Sequence, residues 1–259
     1  MTKFIKLPAP MLSQLKEVNI DVDMKGRHYA EIATSDGQIP EEVALSILKD
    51  LMKEDANKLT LNELRYLFML VKINSLENNY TATVICTHPK KGGKDPNKNC
   101  GCENTIKIRL SDADLNIPPK NYKPPVIKFN FDGTEKEYSV LPPTVDMECA
   151  VLNWFLTEKG ITREELLIDK KNSFDFTYVR SVMHLVDKTT GERAVKEITD
   201  FEIALKSLDN NIYSIVHKLY EYVEEVGKYG LEPKTYEIDC KECGGKLTFH
   251  LPLLHGLAS

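Results

Sequence analysis

ATVIC (residues 82–86) and YEIDC (residues 236–240) are two short stretches, far apart in the chain, that each end on a cysteine. Each is followed by a turn and then by a second cysteine that opens another stretch, CENTIKIRL (102–110) in the first case and CGGKLTFHL (243–251) in the second. Apolar and polar residues alternate along these stretches, which predicts β-strands with one buried face. The sequence therefore predicts two similar β-hairpins that carry cysteines at their turns.

A metal site follows from laying one hairpin over the other. When Cys243 is set on Cys102, the apolar positions of the two following strands coincide, and Cys240 falls on Cys86. Four thiolates are the complement of a closed, tetrahedral zinc site, and the Cys-x-x-Cys spacing of residues 240–243 suits a turn around one ion. The predicted ligands of a structural zinc are therefore Cys86, Cys102, Cys240 and Cys243.

The other cysteines and a nearby histidine leave alternatives open. Cys100 is a spare thiol or an alternate ligand, but aligning it with Cys243 would put Asn104 where Leu247 sits. His88 is a weaker candidate, and Cys149 lies in an apolar run that is typical of a buried residue. A disulfide framework is less favoured, because no apolar signal peptide precedes the chain and thiols stay reduced in the cytosol.

Composition limits the classes of partner. The chain has 259 residues, of which 42% are hydrophobic, enough for a real core. No apolar stretch approaches the roughly 20 residues that cross a bilayer, so a membrane partner is not expected. A formal net charge of −5 argues against a broad nucleic-acid surface. The lysine-rich loop at 89–98 could contact an acidic partner or phosphate, but a solvated insertion is favoured because no aromatic residue is interleaved.

The pattern between the hairpins is mainly helical. Alternating apolar residues over 18–24 predict a half-buried strand, Pro40 can open a helix, and the Thr60/Glu63 capping box starts another. Strands flanking Asp132-Gly133 predict a β-hairpin. Further capping boxes at 162–165 and 199–202 and a periodic stretch at 210–228 then predict helices.

We therefore predict an α+β fold, a zinc-ribbon-like pair of β-hairpins with a mainly helical insert. Residues 1–115 hold an N-terminal arm, a strand, helices and the first zinc hairpin. Residues 116–232 hold the β-hairpin and helical insert, and 233–259 complete the ribbon and form a tail. The arm at 3–12 and the tail at 251–259 are apolar and contain proline, which favours segments that are ordered by a neighbouring protein.

The chain resembles the baseplate hub subunits and hub assembly proteins of T-even-type contractile-tailed bacteriophages. The resemblance is carried by the helix at 61–76 that leads into the strand ending at Cys86, the strand at 105–110, the YSVLPPT step at 138–144 and the closing CKECG at 240–244. It implies a structural or assembly component of a phage tail baseplate. Such a component would join other tail or baseplate proteins in a hetero-oligomer, assembled in the host cytoplasm and located in the virion.

No catalytic residue is predicted. The sequence holds no G-x-S-x-G, no H-E-x-x-H and no phosphate-binding loop, and we expect a protein that is not an enzyme. Two other classes stay open at this point. One is a cytoplasmic zinc-ribbon adaptor that binds nucleic acid or a transcription partner, and the other is an enzyme whose site is assembled from dispersed residues.

Overall fold

The computed structural model describes residues 2–7, 15, 17–34, 40–75, 78–89, 99–112, 115–130, 133–208, 213–231 and 235–250. Helices and small antiparallel sheets alternate along these ranges, so the predicted α+β class is confirmed. Within the same ranges, no helix has both the length and the apolar character that spanning a bilayer requires.

The N-terminal part is a two-stranded sheet covered by helices. Strand β1 (Thr2–Lys6) pairs antiparallel with β2 (Glu17–Asp21), and α1 (Gly26–Ala33), α2 (Pro40–Leu51) and α3 (Leu61–Ser75) follow. The predicted apolar face of β2 is confirmed, because its alternate residues enter the core with the inner face of α2. The buried side chains of this first core include Val18, Ile20, Val22, Val43, Ala44, Ile47, Leu48, Leu64, Leu67 and Phe68.

The N-terminal segment differs from the arm that the sequence predicts. Residues 2–6 form a strand of the protein's own sheet, and Leu7 is only 2% exposed within the first core. Every second residue of this strand is exposed, including Phe4, and its partner strand begins only at Glu17, so the local sequence carries no strong strand signal. Residues 8–14 and the predicted tail at 251–259 lie outside the described residues.

Helix α3 leads directly into the first cysteine hairpin. Its capping box is present as predicted: the Thr60 N–H donates to Glu63 Oε2 at 2.8 Å and the Glu63 N–H faces Thr60 Oγ1 at 3.4 Å. Strand β3 (Asn79–Ile85) follows and pairs antiparallel with β4 (Glu103–Arg109). The path from α3 therefore fixes where the first hairpin starts.

The insert has a core of its own. Strands β6 (Val126–Asn130), β7 (Glu135–Val140) and β8 (Leu185–Asp187) form a three-stranded sheet, with Gly133 at a φ of 91° in the predicted turn. In the described part of the insert, helices share a core with this sheet: α4 (Val145–Thr157), α5 (Arg163–Ile168), α6 (Lys170–Val182), α7 (Asp200–Leu208) and α8 (Tyr213–Gly227). Large buried side chains, including Phe129, Trp154, Phe155 and Tyr178, fill the space between them.

Helix α4 ties the two cores together. Val145 and Cys149 on one of its faces are buried in the first core, whereas Trp154 and Phe155 belong to the second. The beginning and the end of the insert meet, because the two-residue strand β5 (Leu115–Asn116) pairs with β9 (Gly230–Leu231). The last hairpin, β10 (Thr235–Asp239) and β11 (Lys246–His250), comes directly after this junction.

The junction makes Gly230 intolerant of a side chain. Its φ is +128°, and an added Cβ would overlap the side chain of Asn62, whose amide donates to the Tyr229 carbonyl. We expect Gly230→Ala to lower the melting temperature by at least about 2 °C, which corresponds to roughly 1 kcal/mol in a chain of this size. Differential scanning calorimetry would measure the shift.

Gly26→Ala is the matched control, because nothing lies within 4 Å of an added Cβ at this first residue of α1. That substitution should leave the melting temperature unchanged or raise it slightly. Equal melting temperatures for the two variants would contradict the proposed close approach of α3 and β9.

Candidate metal centre

The two cysteine hairpins pack face to face. Alternate residues of β3 and β4 point to one side and are buried against the alternate residues of β10 and β11. This small apolar cluster contains Ala82, Ile106, Ile108 and Leu110 from the first hairpin and its surroundings, with Tyr236, Ile238 and Phe249 from the second. The packing brings the turn ends of the two hairpins together, although they are far apart in sequence.

Four sulfur atoms meet at these turn ends. The Sγ atoms of Cys86, Cys100, Cys240 and Cys243 all lie within 4.8 Å of one another. The Sγ atoms of Cys86 and Cys243 are 3.5 Å apart, and those of Cys100 and Cys240 are 3.8 Å apart. A tetrahedron of thiolates at about 2.3 Å from zinc has edges of about 3.8 Å, so the arrangement fits a metal ion.

The same distances exclude a disulfide framework among these residues, because a disulfide requires about 2.05 Å between the sulfurs. All six cysteines are free thiols. Cys149 is buried between the helices, as expected for a core residue, and takes no part in the sulfur cluster.

The structure differs from the sequence-based expectation in the fourth sulfur. Cys86, Cys240 and Cys243 lie in the cluster, but Cys100 stands where Cys102 was predicted. Cys102 is buried next to the cluster, with its Sγ atom 3.6 Å from the carbonyl oxygen of Glu103 in its own strand. The ligand set itself stays a prediction.

Backbone hydrogen bonds explain the difference. In the first hairpin, the Cys86 N–H donates to the Cys102 carbonyl and the Gly101 N–H donates to the Cys86 carbonyl, each at 2.9 Å. In the second, the Cys240 N–H donates to the Gly245 carbonyl and the Gly244 N–H to the Cys240 carbonyl, each at 2.8 Å. These pairs make Cys102 equivalent to Gly245, so the equivalent of Cys243 is Cys100.

A left-handed glycine completes the match between the hairpins. Gly101 and Gly244 have φ values of 66° and 67°, a conformation that glycine adopts without strain. Each glycine directly follows a clustered cysteine and turns the backbone so that the sulfur points inward. The repeated Cys-Gly dipeptide is a sequence signal that favours Cys100, whereas the strand pattern favours Cys102.

Asn104 explains why the strand pattern favours Cys102, although Cys100 lies in the sulfur cluster. It occupies the place of Leu247 in the aligned hairpins and is only 4% exposed, yet its polar atoms are satisfied. The Nδ2 atom donates to the Cys102 carbonyl at 2.9 Å and lies 3.6 Å from the Cys240 Sγ atom, while Oδ1 accepts from the Lys241 N–H at 2.9 Å. A buried polar residue at an apolar strand position thus connects the first hairpin to the cysteine turn of the second.

His88 makes a second connection between the hairpins. Its Nε2–H donates to the Lys246 carbonyl at 2.6 Å, and its ring lies so close to Gly245 that a Cβ there would be 2.6 Å from the ring. His88 is therefore a structural contact and its imidazole is not one of the clustered ligand atoms. The lysine-rich residues 90–98 that follow lie outside the described residues.

The thiols of the cluster differ in how readily they lose a proton. Burial raises the pKa of the Cys86 thiol to about 12. The backbone N–H groups of Cys243 and Glu242, together with the Asn104 amide, lower the pKa of Cys240. A thiolate is the form that binds metal. Cys240 therefore ionises more readily than an ordinary cysteine. The buried Cys86 thiol would ionise only with a positive charge, such as that of a metal ion, beside it.

Comparison with known proteins gives the chain a family. A family model described as "T4 bacteriophage base plate protein" matches residues 24–256, a stretch that contains both cysteine hairpins and the helical insert. No curated protein and no solved structure matches the chain. The resemblance to phage baseplate proteins that the sequence suggested is confirmed at the level of the family. The chain belongs to the T4 bacteriophage base plate protein family.

Proposed function

We propose that this baseplate protein is a structural or assembly component of the hub region, and that one structural zinc ion holds its two cysteine hairpins together. The proposed ligands are Cys86, Cys100, Cys240 and Cys243, with Cys100 in place of the Cys102 that the sequence favoured. The single observation that carries the metal proposal is the mutual approach of these four sulfurs to within 4.8 Å.

Zinc is the metal that this donor set suits best. Four cysteine thiolates in a small, largely buried tetrahedron are the usual complement of a structural zinc site. With four protein ligands, the metal would have no open position for water or substrate, so its role would be to stabilise the fold. We further propose that the protein is not an enzyme, which its membership of a family of bacteriophage base plate proteins supports.

The family membership supports the location. We infer that the chain assembles with other tail or baseplate proteins into a hetero-oligomer, in the host cytoplasm, and that it resides in the virion. We also keep the division into 1–115, 116–232 and 233–259 as a proposal, in which the last part closes the ribbon onto the first.

Zinc content tests the ligand set. Purified protein should contain about one equivalent of zinc, and Cys100→Ser should retain less than half of it, because three thiolates and a weaker hydroxyl ligand bind zinc poorly. Cys102→Ser and Cys149→Ser should keep the full content. Elemental mass spectrometry on protein prepared without chelator measures all four samples.

If Cys102→Ser loses zinc while Cys100→Ser retains it, the ligand would be Cys102, as the strand pattern predicted, and not Cys100. Full retention in a variant lacking both Cys240 and Cys243 would remove the site altogether.

Metal removal tests the structural role. We expect chelation to lower the melting temperature and to speed amide hydrogen exchange in β3, β4, β10 and β11 more than in the helices of the second core, because the metal contributes folding energy where it binds. Adding zinc back should restore both values. Unchanged melting and exchange after complete removal would show that the metal does not hold the hairpins.

Association tests the baseplate role. A tagged chain, expressed during infection by the phage that encodes it, should co-purify with tail or baseplate proteins and appear in purified tails by mass spectrometry. Binding to DNA or RNA that weakens steeply with salt would instead support the zinc-ribbon adaptor. Recovery of the chain with nucleic acid and without tail proteins would refute the baseplate role.

A further inference from the structure

An open cleft of about 770 Å³ lies where α2 meets α4, with α7 and the segment before it closing one end. Its floor is apolar and comes from both cores. Leu45 and Cys149 contribute from the side of the first core and Trp154 from the second, and all three are less than 10% exposed. Ile198 stands at the rim with 54% of its surface exposed. A cleft of this volume accommodates one or two large apolar side chains.

The rim of the cleft is predominantly acidic. Glu42, Asp146, Glu158 and Glu202 line it, and Lys49 is the one lysine among the described lining residues. Asp146 and Glu158 are both exposed, at opposite ends of α4. Carboxylates that surround an apolar floor attract a cation and repel an anion.

A lysine of the protein itself shows how a cation sits at this rim. Lys159 pairs with Glu202 at 3.0 Å, and its ammonium nitrogen lies 4.6 Å from the centre of the Trp154 ring. Contact with an aromatic face on one side and a carboxylate on the other stabilises an ammonium group. The end of the cleft near α7 thus already combines apolar and cationic contacts.

The floor also experiences the negative charge. The pKa of Cys149 is raised to about 12, first by burial and then by the carboxylates of Glu42, Glu41, Glu148 and Asp146. Of these carboxylates, Glu42 on α2 and Asp146 on α4 line the cleft itself. A negatively charged occupant would therefore be repelled by the carboxylates beside this part of the floor.

We propose that this cleft binds a segment of another protein that carries an apolar side chain flanked by lysine or arginine. The apolar side chain would lie over Leu45, Cys149 and Trp154, and its cationic neighbours would pair with Asp146 and Glu158. The inference goes beyond the baseplate role, because it follows from the shape and charge of the cleft and does not require the metal.

The chain provides its own reporter of occupancy. Trp154 is the single tryptophan of the protein and lines the cleft, so tryptophan fluorescence reports on the surroundings of this one side chain. The probe is an acetylated KKLFLKK peptide, which contains no tryptophan, and the control peptide is EELFLEE. KKLFLKK should change the Trp154 emission saturably and bind less tightly as salt is raised, whereas EELFLEE should bind at least roughly tenfold more weakly.

A charge reversal at the rim tests the position. Asp146→Lys combined with Glu158→Lys should weaken KKLFLKK binding at least roughly tenfold, because like charges then face each other. The matched control is Glu221→Lys with Glu224→Lys, two exposed positions on α8 away from the cleft lining, which should bind as the unmodified protein does. Melting temperatures would show that both variants are folded.

Several outcomes would overturn the proposal. They are the absence of a saturable emission change, equal binding of the two peptides, and an equal loss of binding in the rim and control variants. Sedimentation of the protein alone addresses a second copy as occupant: a dimer that the rim substitutions dissolve, without KKLFLKK binding, would replace the proposed partner with self-association.

Discussion

Four clustered sulfur atoms and two side-chain hydrogen bonds lie between hairpins whose cysteines are as far as 157 positions apart. Closing a loop of that length costs about 4 kcal/mol in chain entropy. The hydrogen bonds from His88 and to Asn104 contribute about 1 kcal/mol each, so they cannot offset that cost alone. A structural zinc ion contributes on the order of 10 kcal/mol or more, which is why the proposed metal would decide whether the hairpins stay together. Burial of the apolar faces of β3, β4, β10 and β11 supplies the rest of the free energy that holds the hairpins together.

The insert depends on the same closure, because both of its ends are held near the hairpins. The chain enters it after β4, through β5, and leaves it through β9, and these two short strands pair with each other. Asn62 at the start of α3 binds the backbone next to β9, so the first core also contacts the exit point. Helix α4 then fixes the insert from the other side, where the bidentate ion pair of Arg180 and Glu148 (2.6 and 3.0 Å) links α6 to α4. The family match extends over all of these parts.

The sequence predicted the elements whose signal is local. The alternation in β2, the helical periodicity of α2 and the capping box before α3 each depend on neighbouring residues, and each is found in the structure. Strand β1 and the pair β5–β9 were missed, because their identity depends on partners distant in sequence. The cysteine hairpins were recognised, whereas the choice between Cys100 and Cys102 as a ligand stays a prediction that depends on one glycine in a left-handed conformation. Strand alternation does not continue through such a residue, and Asn104 then takes a buried place that the apolar pattern reserves for leucine.

The separation in sequence between the first pair of clustered cysteines and the second also sets the order in which the cluster forms during synthesis. The ribosome releases Cys86 and Cys100 first, then the whole helical insert, and only afterwards Cys240 and Cys243. Until the second pair emerges, the nascent chain holds two unpartnered thiols and the uncovered apolar face of β3 and β4. A product that stops before residue 240 would contain the residues of both large cores but would lack the second pair of clustered cysteines. Completion of the cluster would therefore mark a chain that has been synthesised beyond Cys243.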